Sequence, residues 1–329
     1  ATKRFKEIAN ERSLIMKMII KSAVSLVCAV GLTFGNYALA KDLTLATGRQ
    51  GGSQYPITVA LAQVIEGLES VGSVTLKPGG GTSNVAAVGM GQAELAITLS
   101  PSAVSGLKGE KPYTNSLPNI TQLFALHGFK ITTLVPADSS ITNFRDLAGK
   151  RVSIGPNGWT INTMAKKILA MEGISINAET LKPGDAVQQM KDGNLDAIIN
   201  TPSDLYAPFL DLASSRDIRL VPLNSSIQDK LIAENDSFYL SDWPADSGAY
   251  PKLKNTVTTV SYPNIIIANK DVISEELGYQ ITKRVVENFE SVASSEKSLA
   301  VLKLSDLAIQ VGIPLHPGSK RYFSERGWL

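Results

Sequence analysis

Five short segments of this chain combine glycine, hydroxyl side chains and positions suited to open a helix. They are Gly51-Gly52-Ser53, Gly80-Gly81-Thr82-Ser83-Asn84, Ser100-Pro101-Ser102, Gly158-Trp159-Thr160 and Thr201-Pro202-Ser203. Their chemistry is binding rather than bond-making. A helix N-terminus carries unsatisfied backbone N–H groups and the positive end of the helix dipole, and glycine lets a guest approach the backbone closely. The hydroxyls of Ser53, Thr82, Ser83, Ser100 and Thr160 add donors without charge. Together they favour a small anion, with a carboxylate the leading candidate. Reaction signatures are missing: no glycine loop ends in Gly-Lys-Ser/Thr, and there is neither a Gly-x-Ser-x-Gly elbow nor a His-Glu-x-x-His pair. The two histidines, His127 and His316, are too far apart in sequence to supply a metal set and read as structural. Neither an enzyme nor a cofactor is expected.

The segments recur in order. Leu76-Lys77-Pro78-Gly79 returns letter for letter as Leu181-Lys182-Pro183-Gly184. A glycine loop precedes each copy, with 28 residues from Gly51 to Gly79 and 26 from Gly158 to Gly184. After the first come Gly91, Glu94, an apolar run and Ser100-Pro101-Ser102; after the second come Gly193, Asp196, an apolar run and Thr201-Pro202-Ser203. Four features in one order imply two lobes built on one plan and facing each other.

Residues 1–40 read as an upstream segment and a signal peptide. Met16 or Met18 would start it, Lys17 and Lys21 supply the basic region, 22–34 is apolar, and Ala38-Leu39-Ala40 is a small-residue cleavage site. The expected location is therefore the periplasm, with cleavage after Ala40. The single cysteine, Cys28, falls inside this leader, so residues 41–329 have no thiol for a disulfide or metal. Six of the 32 Lys/Arg and two of the 30 Asp/Glu lie in 1–40, which leaves 26 against 28, a net of −2, for the rest. No surface for nucleic acid follows from that balance.

Hydrophobic periodicity predicts strands at 42–47, 73–77 and 95–99 with helices at 55–68 and 82–89, a βαβαβ unit with parallel pairing. A second unit is expected from 151, with a helix at 160–171. The stretch 238–255 reads as a surface loop, with separate strands at 256–260 and 265–268. The last elements have no counterpart in the repeat, so the chain is expected to return to the first lobe. That gives lobe I as 41–134 with 260–329, lobe II as 135–259, and a two-crossing hinge near 134–137 and 261–264. The fold class is α/β, two βαβ-type lobes with mostly parallel sheets. Ligands in such sheets bind beyond the strands' carboxyl ends, where the five segments lie.

The chain resembles the TAXI family, the NMT1-like solute receptors of one class of tripartite (TRAP) transporters. The resemblance spans nearly all of 41–329. It rests on Ala46-Thr47-Gly48 through Tyr55-Pro56, on Gly80-Gly81-Thr82-Ser83-Asn84, and on Gly149-Lys150-Arg151-Val152 through Gly155-Pro156. Asp217-Ile218-Arg219-Leu220, Gly248-Ala249-Tyr250-Pro251 and Ile313-Pro314-Leu315-His316-Pro317-Gly318 add to it. It implies a type II periplasmic binding fold, closure about a hinge over a small carboxylate such as a glutamate-like or keto acid, and delivery to a membrane permease driven by an ion gradient. Trp159-Thr160-Ile161-Asn162 and Thr201-Pro202-Ser203 depart from the family pattern, both in lobe II, and an aromatic group there suits a flatter or more apolar acid.

The expected ligand-binding residues are Gly51, Gly52, Ser53, Tyr55, Gly81, Thr82, Ser83, Asn84 and Ser100 from lobe I. Gly158, Trp159, Thr160, Thr201 and Tyr262 complete the set. Expected partners are an organic carboxylate and the TRAP permease, with the receptor itself a monomer. A receptor for an ATP-driven importer, or an enzyme or sensor on the same scaffold, are the alternatives.

Overall fold

The computed structural model describes residues 40–50, 52–157, 159–203, 206–245 and 253–329. The leader reading for residues 1–39 lies outside them, as do Gly51, Gly158 and the Gly248–Pro251 motif. The chain opens with β1 (Lys41–Thr47), α1 (Gln54–Glu66), β2 (Val71–Pro78), α2 (Gly81–Gly89), β3 (Leu95–Leu99) and α3 (Ser100–Lys108). β1 pairs in parallel with β2 and with β3. Side chains on a strand alternate between faces, and both faces here are buried. Leu43, Leu45, Leu95 and Ile97 pack against Ile57, Leu61 and Ile65 of α1, whose own spacing makes one helical stripe. Ala46 and Ala96 turn the other way, onto Val85 and Val88 of α2 and Ala103 and Val104 of α3.

Next come β4 (Ile120–Lys130), β5 (Thr132–Pro136), β6 (Arg151–Ser153), α4 (Thr160–Glu172), β7 (Asn177–Glu179), α5 (Pro183–Lys191) and β8 (Ala197–Asn200). They are followed by α6 (Ala207–Ser215), β9 (Ile218–Val221), α7 (Ser225–Glu234), β10 (Tyr239–Trp243), β11 (Val257–Asn269), α8 (Glu275–Glu287), α9 (Phe289–Ala293) and α10 (Pro317–Glu325). The second sheet runs β7-β6-β8-β5-β9. Its parallel triplet β7-β6-β8 repeats the β2-β1-β3 of the first, and each triplet gains an antiparallel neighbour, β5 beside β8 and β11 beside β3. The expected α/β class with two sheets is present.

The repeat noticed in sequence has a structural cause. Gly91 and Gly193 hold φ of 69° and 75°, left-handed values that favour glycine, at the turn after α2 and after α5. Three residues on, Glu94 accepts the N–H of Thr44 on β1 at 2.7 Å, and Asp196 accepts that of Arg151 on β6 at 2.8 Å. Each acid thus ties the entry of a third strand to the first.

The two sheets are joined by a pair of adjacent crossings. β4 gives way to β5 at Ile131, whose N–H reaches Val260 O at 2.9 Å on β11. Val260 and Tyr262 bury into the core of the second sheet with Ile131, Val152 and Ile199. Further along the same strand, Ile265 and Ile267 bury into the first.

Two expectations are corrected. The stretch 238–255 is not all surface loop, because β10 pairs antiparallel with β11 and Trp243 is buried with its indole N–H on Thr132 Oγ1 at 3.0 Å. The two strands expected at 256–260 and 265–268 are one. Pro263 sits within β11 opposite Gly128, next to a register shift that accommodates its missing N–H.

Candidate functional site

Helix starts from both sheets converge on one cavity of about 490 Å3. From the first sheet come Ser53 and Gln54 at the start of α1, Gly80 and Gly81 at the start of α2, and Leu99 just before α3. From the second come Trp159 and Thr160 of α4, Pro183 and Gly184 of α5, and Tyr206 and Pro208 of α6. None of α1, α2, α3, α4, α5 and α6 has a first-turn N–H capped by the side chain of its N-cap residue. Six positive dipole ends without a side-chain cap therefore face one space. α7 also starts uncapped, at Asn224, yet it does not reach this cavity, so convergence and not an open start makes the site.

Beside this cavity and sharing its Arg49, Gly79, Gly80, Gly81 and Thr160 lies a second, of about 990 Å3, on the flank of the first sheet. Arg49 is the only formally charged residue among the described walls of either. Its side chain is exposed, and no carboxylate pairs with it among the described residues. Among the described residues, then, one cation stands amid helix N-termini with no acid in either wall.

The wall is braced from behind. Gln54 donates to Asn264 Oδ1 at 2.6 Å, which pins the start of α1 to the crossing strand β11. Asn84 is buried and donates from Nδ2 to Ile97 O at 2.8 Å and Thr47 O at 3.1 Å, and Asn162 donates to Gly155 O at 2.8 Å. Asn84 thereby ties the start of α2 to β1 and β3, whereas Asn162 ties the start of α4 to the glycine loop before it. Thr98 Oγ1 donates to Gly81 O at 2.9 Å. Burial pushes the phenols of Tyr206 and Tyr262 up to about 12, against the opposing effect of Asn200 and Thr201 beside them. Both stay neutral at ordinary pH, able to donate to an anion without repelling it. His316 caps α10 through Nδ1, far from this wall, and burial holds its imidazole below the usual range.

A family model described as NMT1-like matches residues 45–327. The chain belongs to the NMT1-like family. Solved structures add the fold of the type II periplasmic binding proteins. A TctC solute binding protein from Polaromonas, without ligand, is 14% identical over 80% of this chain and 87% of its own, at a TM-score of 0.51. XAC2383 from Xanthomonas citri, bound to chloride ion, is 10% identical over 86% of this chain and 95% of its own, also at 0.51. The same protein bound to ATP gives 11%, 86%, 94% and 0.51.

In this member of the family, the structure brings Gly52, Ser53, Gly81, Trp159, Thr160, Thr201 and Tyr262 to the first cavity, and Thr82 and Ser83 to the second. Trp159 is 39% exposed on the wall. Three expected residues stand elsewhere. Tyr55 is half-buried on α1 off the wall, Asn84 spends its amide on backbone carbonyls, and Ser100 is fully buried with no partner for its Oγ among the described residues. Gly51 and Gly158 lie outside the described residues. Sequence reasoning passed over Arg49, Gln54, Asn200 and Tyr206. It also quoted Gly79 and Pro183-Gly184 only as a repeat, although both copies of that tetrapeptide end on the cavity wall. Other family stretches are internal: Arg219 donates to Ala137 O, Ser139 O and Ile141 O. Among the described residues no cluster of three metal-ligating side chains occurs, and no helix is long and apolar enough to cross a membrane.

Proposed function

We propose that this protein is an extracytoplasmic solute receptor of the TAXI type, which takes a small organic anion, a carboxylate, between its two sheets and hands it to a TRAP-type permease. The observation that carries the reading is the convergence of six uncapped helix starts, and of one arginine unpaired among the described residues, on a cavity with no acid in its described wall. Four or five charge-assisted hydrogen bonds at ~1.5–3 kcal/mol each supply on the order of 6–15 kcal/mol. Association costs at least ~4 kcal/mol, so micromolar binding, about −8 kcal/mol, is within reach.

In this reading the lobes are residues 41–134 with 260–329 and residues 135–259, with β10 of the second range pairing onto the crossing strand β11 of the first sheet. They close about the paired crossings at Ile131 and Tyr262–Asn264. Closure requires the anion to bind the closed form more tightly than the open one. Trp159 and Thr160 come from the second lobe and Arg49, Ser53 and Gly81 from the first. No covalent step is part of the cycle.

A thermal-shift screen of small carboxylates, amino acids and sugars tests the ligand class. A ligand at 100 times its dissociation constant adds about 2.7 kcal/mol of stability; stabilisation by sugars alone, or conversion of a bound acid to product, contradicts the reading. Uptake of the bound acid by cells with an ion gradient but depleted of ATP separates a TRAP permease from an ATP-driven importer.

A further inference from the structure

We propose that the cavity and its larger neighbour form one bipartite site, which takes an organic anion carrying a sizeable apolar tail, with the charged head at Arg49 and the tail in the flanking recess. This deepens the anion reading above and rests on it. The two spaces adjoin along walls they share, Arg49, Gly79–Gly81 and Thr160. The head space alone, at about 490 Å3, is roomy for a small acid, yet the recess beside it is about 990 Å3. Ligand pockets commonly span about 300–1,000 Å3 in total, so a small acid leaves most of this site unfilled.

The recess differs from the head space in chemistry. Pro78, Ala86, Met90, Pro112, Tyr113 and Leu117 make its apolar wall. Three of its polar side chains are already engaged: the Tyr113 hydroxyl donates to Thr82 O at 3.3 Å, Ser83 Oγ both accepts from Gly80 N and donates to Gly80 O at 3.0 Å, and Asn115 donates to Thr114 at 3.4 Å. Gln50, Thr82 and Thr160 are further polar residues of the wall, and Thr160 belongs to the junction with the head space. Met90 is 65% exposed, a flexible thioether free to cover an apolar guest. Among the described residues the recess has no charge apart from Arg49, at its junction with the head space. Charge at one end and apolar wall beyond it match an amphipathic anion in one orientation.

The test is a calorimetric titration of the protein with straight-chain carboxylates from butanoate to decanoate, each below its micelle concentration. The expected result is an affinity that rises with chain length by up to about fourfold per buried methylene. Ala86→Trp places a ring in the recess and is expected to lower the decanoate-to-butanoate affinity ratio at least tenfold; Met90→Ser, a milder change at the rim, lowers it about threefold. Equal affinity along the series, or a rise that neither substitution diminishes, overturns the bipartite site while leaving the anion reading intact. If no acid of any length binds, both fail together.

Discussion

The helix starts at the cleft and those at the C-terminal end treat the same backbone groups in opposite ways. α8 opens with Ser274, whose hydroxyl accepts the N–H of Leu277 at 3.2 Å, and carries Glu275 and Glu276 in its first turn. α10 opens with His316, whose Nδ1 accepts the N–H of Gly318 at 3.3 Å while Nε2 donates to Ile273 O at 3.0 Å. There the chain itself supplies the oxygen or nitrogen acceptor at both starts, and at α8 also the negative charge that a helix N-terminus favours. At the cleft, α1, α2, α4 and α6 have neither a cap from the N-cap side chain nor an acid in the first turn. α5 has Asp185 but no cap. The C-terminal starts satisfy a donor within the fold, whereas the starts at the cleft have no acceptor from an N-cap side chain.

Breaking the cleft side has the largest expected effect. Arg49→Ala removes the one cation of the described wall. It is expected to weaken anion binding by a factor of about 10–100, from the loss of ~1.5–3 kcal/mol, with the urea midpoint of the free protein unmoved. Equal affinity in titration calorimetry would remove Arg49 from the site.

Asn84→Ala sharpens the contrast, since this helix-start residue works inward. With Ile97 O and Thr47 O left without the amide, stability is expected to drop by about 1–3 kcal/mol in urea unfolding. A variant as stable as the parent that fails to bind would return Asn84 to the ligand.

His316→Ala acts on the capped side, with an expected stability loss of about 0.5–2 kcal/mol and no change in anion affinity. The pH dependence has a definite sign. Burial keeps the folded imidazole below its ordinary value, so the unfolded chain takes up a proton first as pH falls through about 6.5. The stabilisation is fully present above that pH and declines below it. Urea midpoints at pH 8 and pH 5 should show a decline in the parent that is smaller in His316→Ala.

The smallest expected effect is at Trp159. Trp159→Phe should change affinity less than about threefold, because the ring and its contact area are largely kept. It should abolish the shift in tryptophan emission on binding, since Trp243 is buried, Trp328 packs against Tyr322 and Phe323, and neither lines the cavity. A shift that persists in the variant places the reporter elsewhere.

The doubled sheet plan was legible because its carriers are local and repeated: Gly91 with Glu94, Gly193 with Asp196, and the tetrapeptide before each. β10 was not, since its partner β11 lies beyond a Pro- and Asp-rich stretch that reads as loop by composition. Pro263 split β11 in the reading because proline punctuates a strand locally, whereas the register shift that admits it depends on a distant partner. At the site, the glycine loops announced the cavity, but side-chain direction did not follow from residue type. Asn84 and Ser83 are neighbours in one segment, and only one faces open space. Arg49 lies between Gly48 and Gly52, and that no carboxylate pairs with it among the described residues is visible only in three dimensions.

Backbone amide chemical shifts during titration with an organic acid test the central claim most directly. The account predicts shifts at Gly52, Gly81, Thr160 and Gly184, at helix starts of both sheets, with the amides of Leu277 and Gly318 still. Shifts confined to one sheet, or absent from all four positions at saturation, would contradict it.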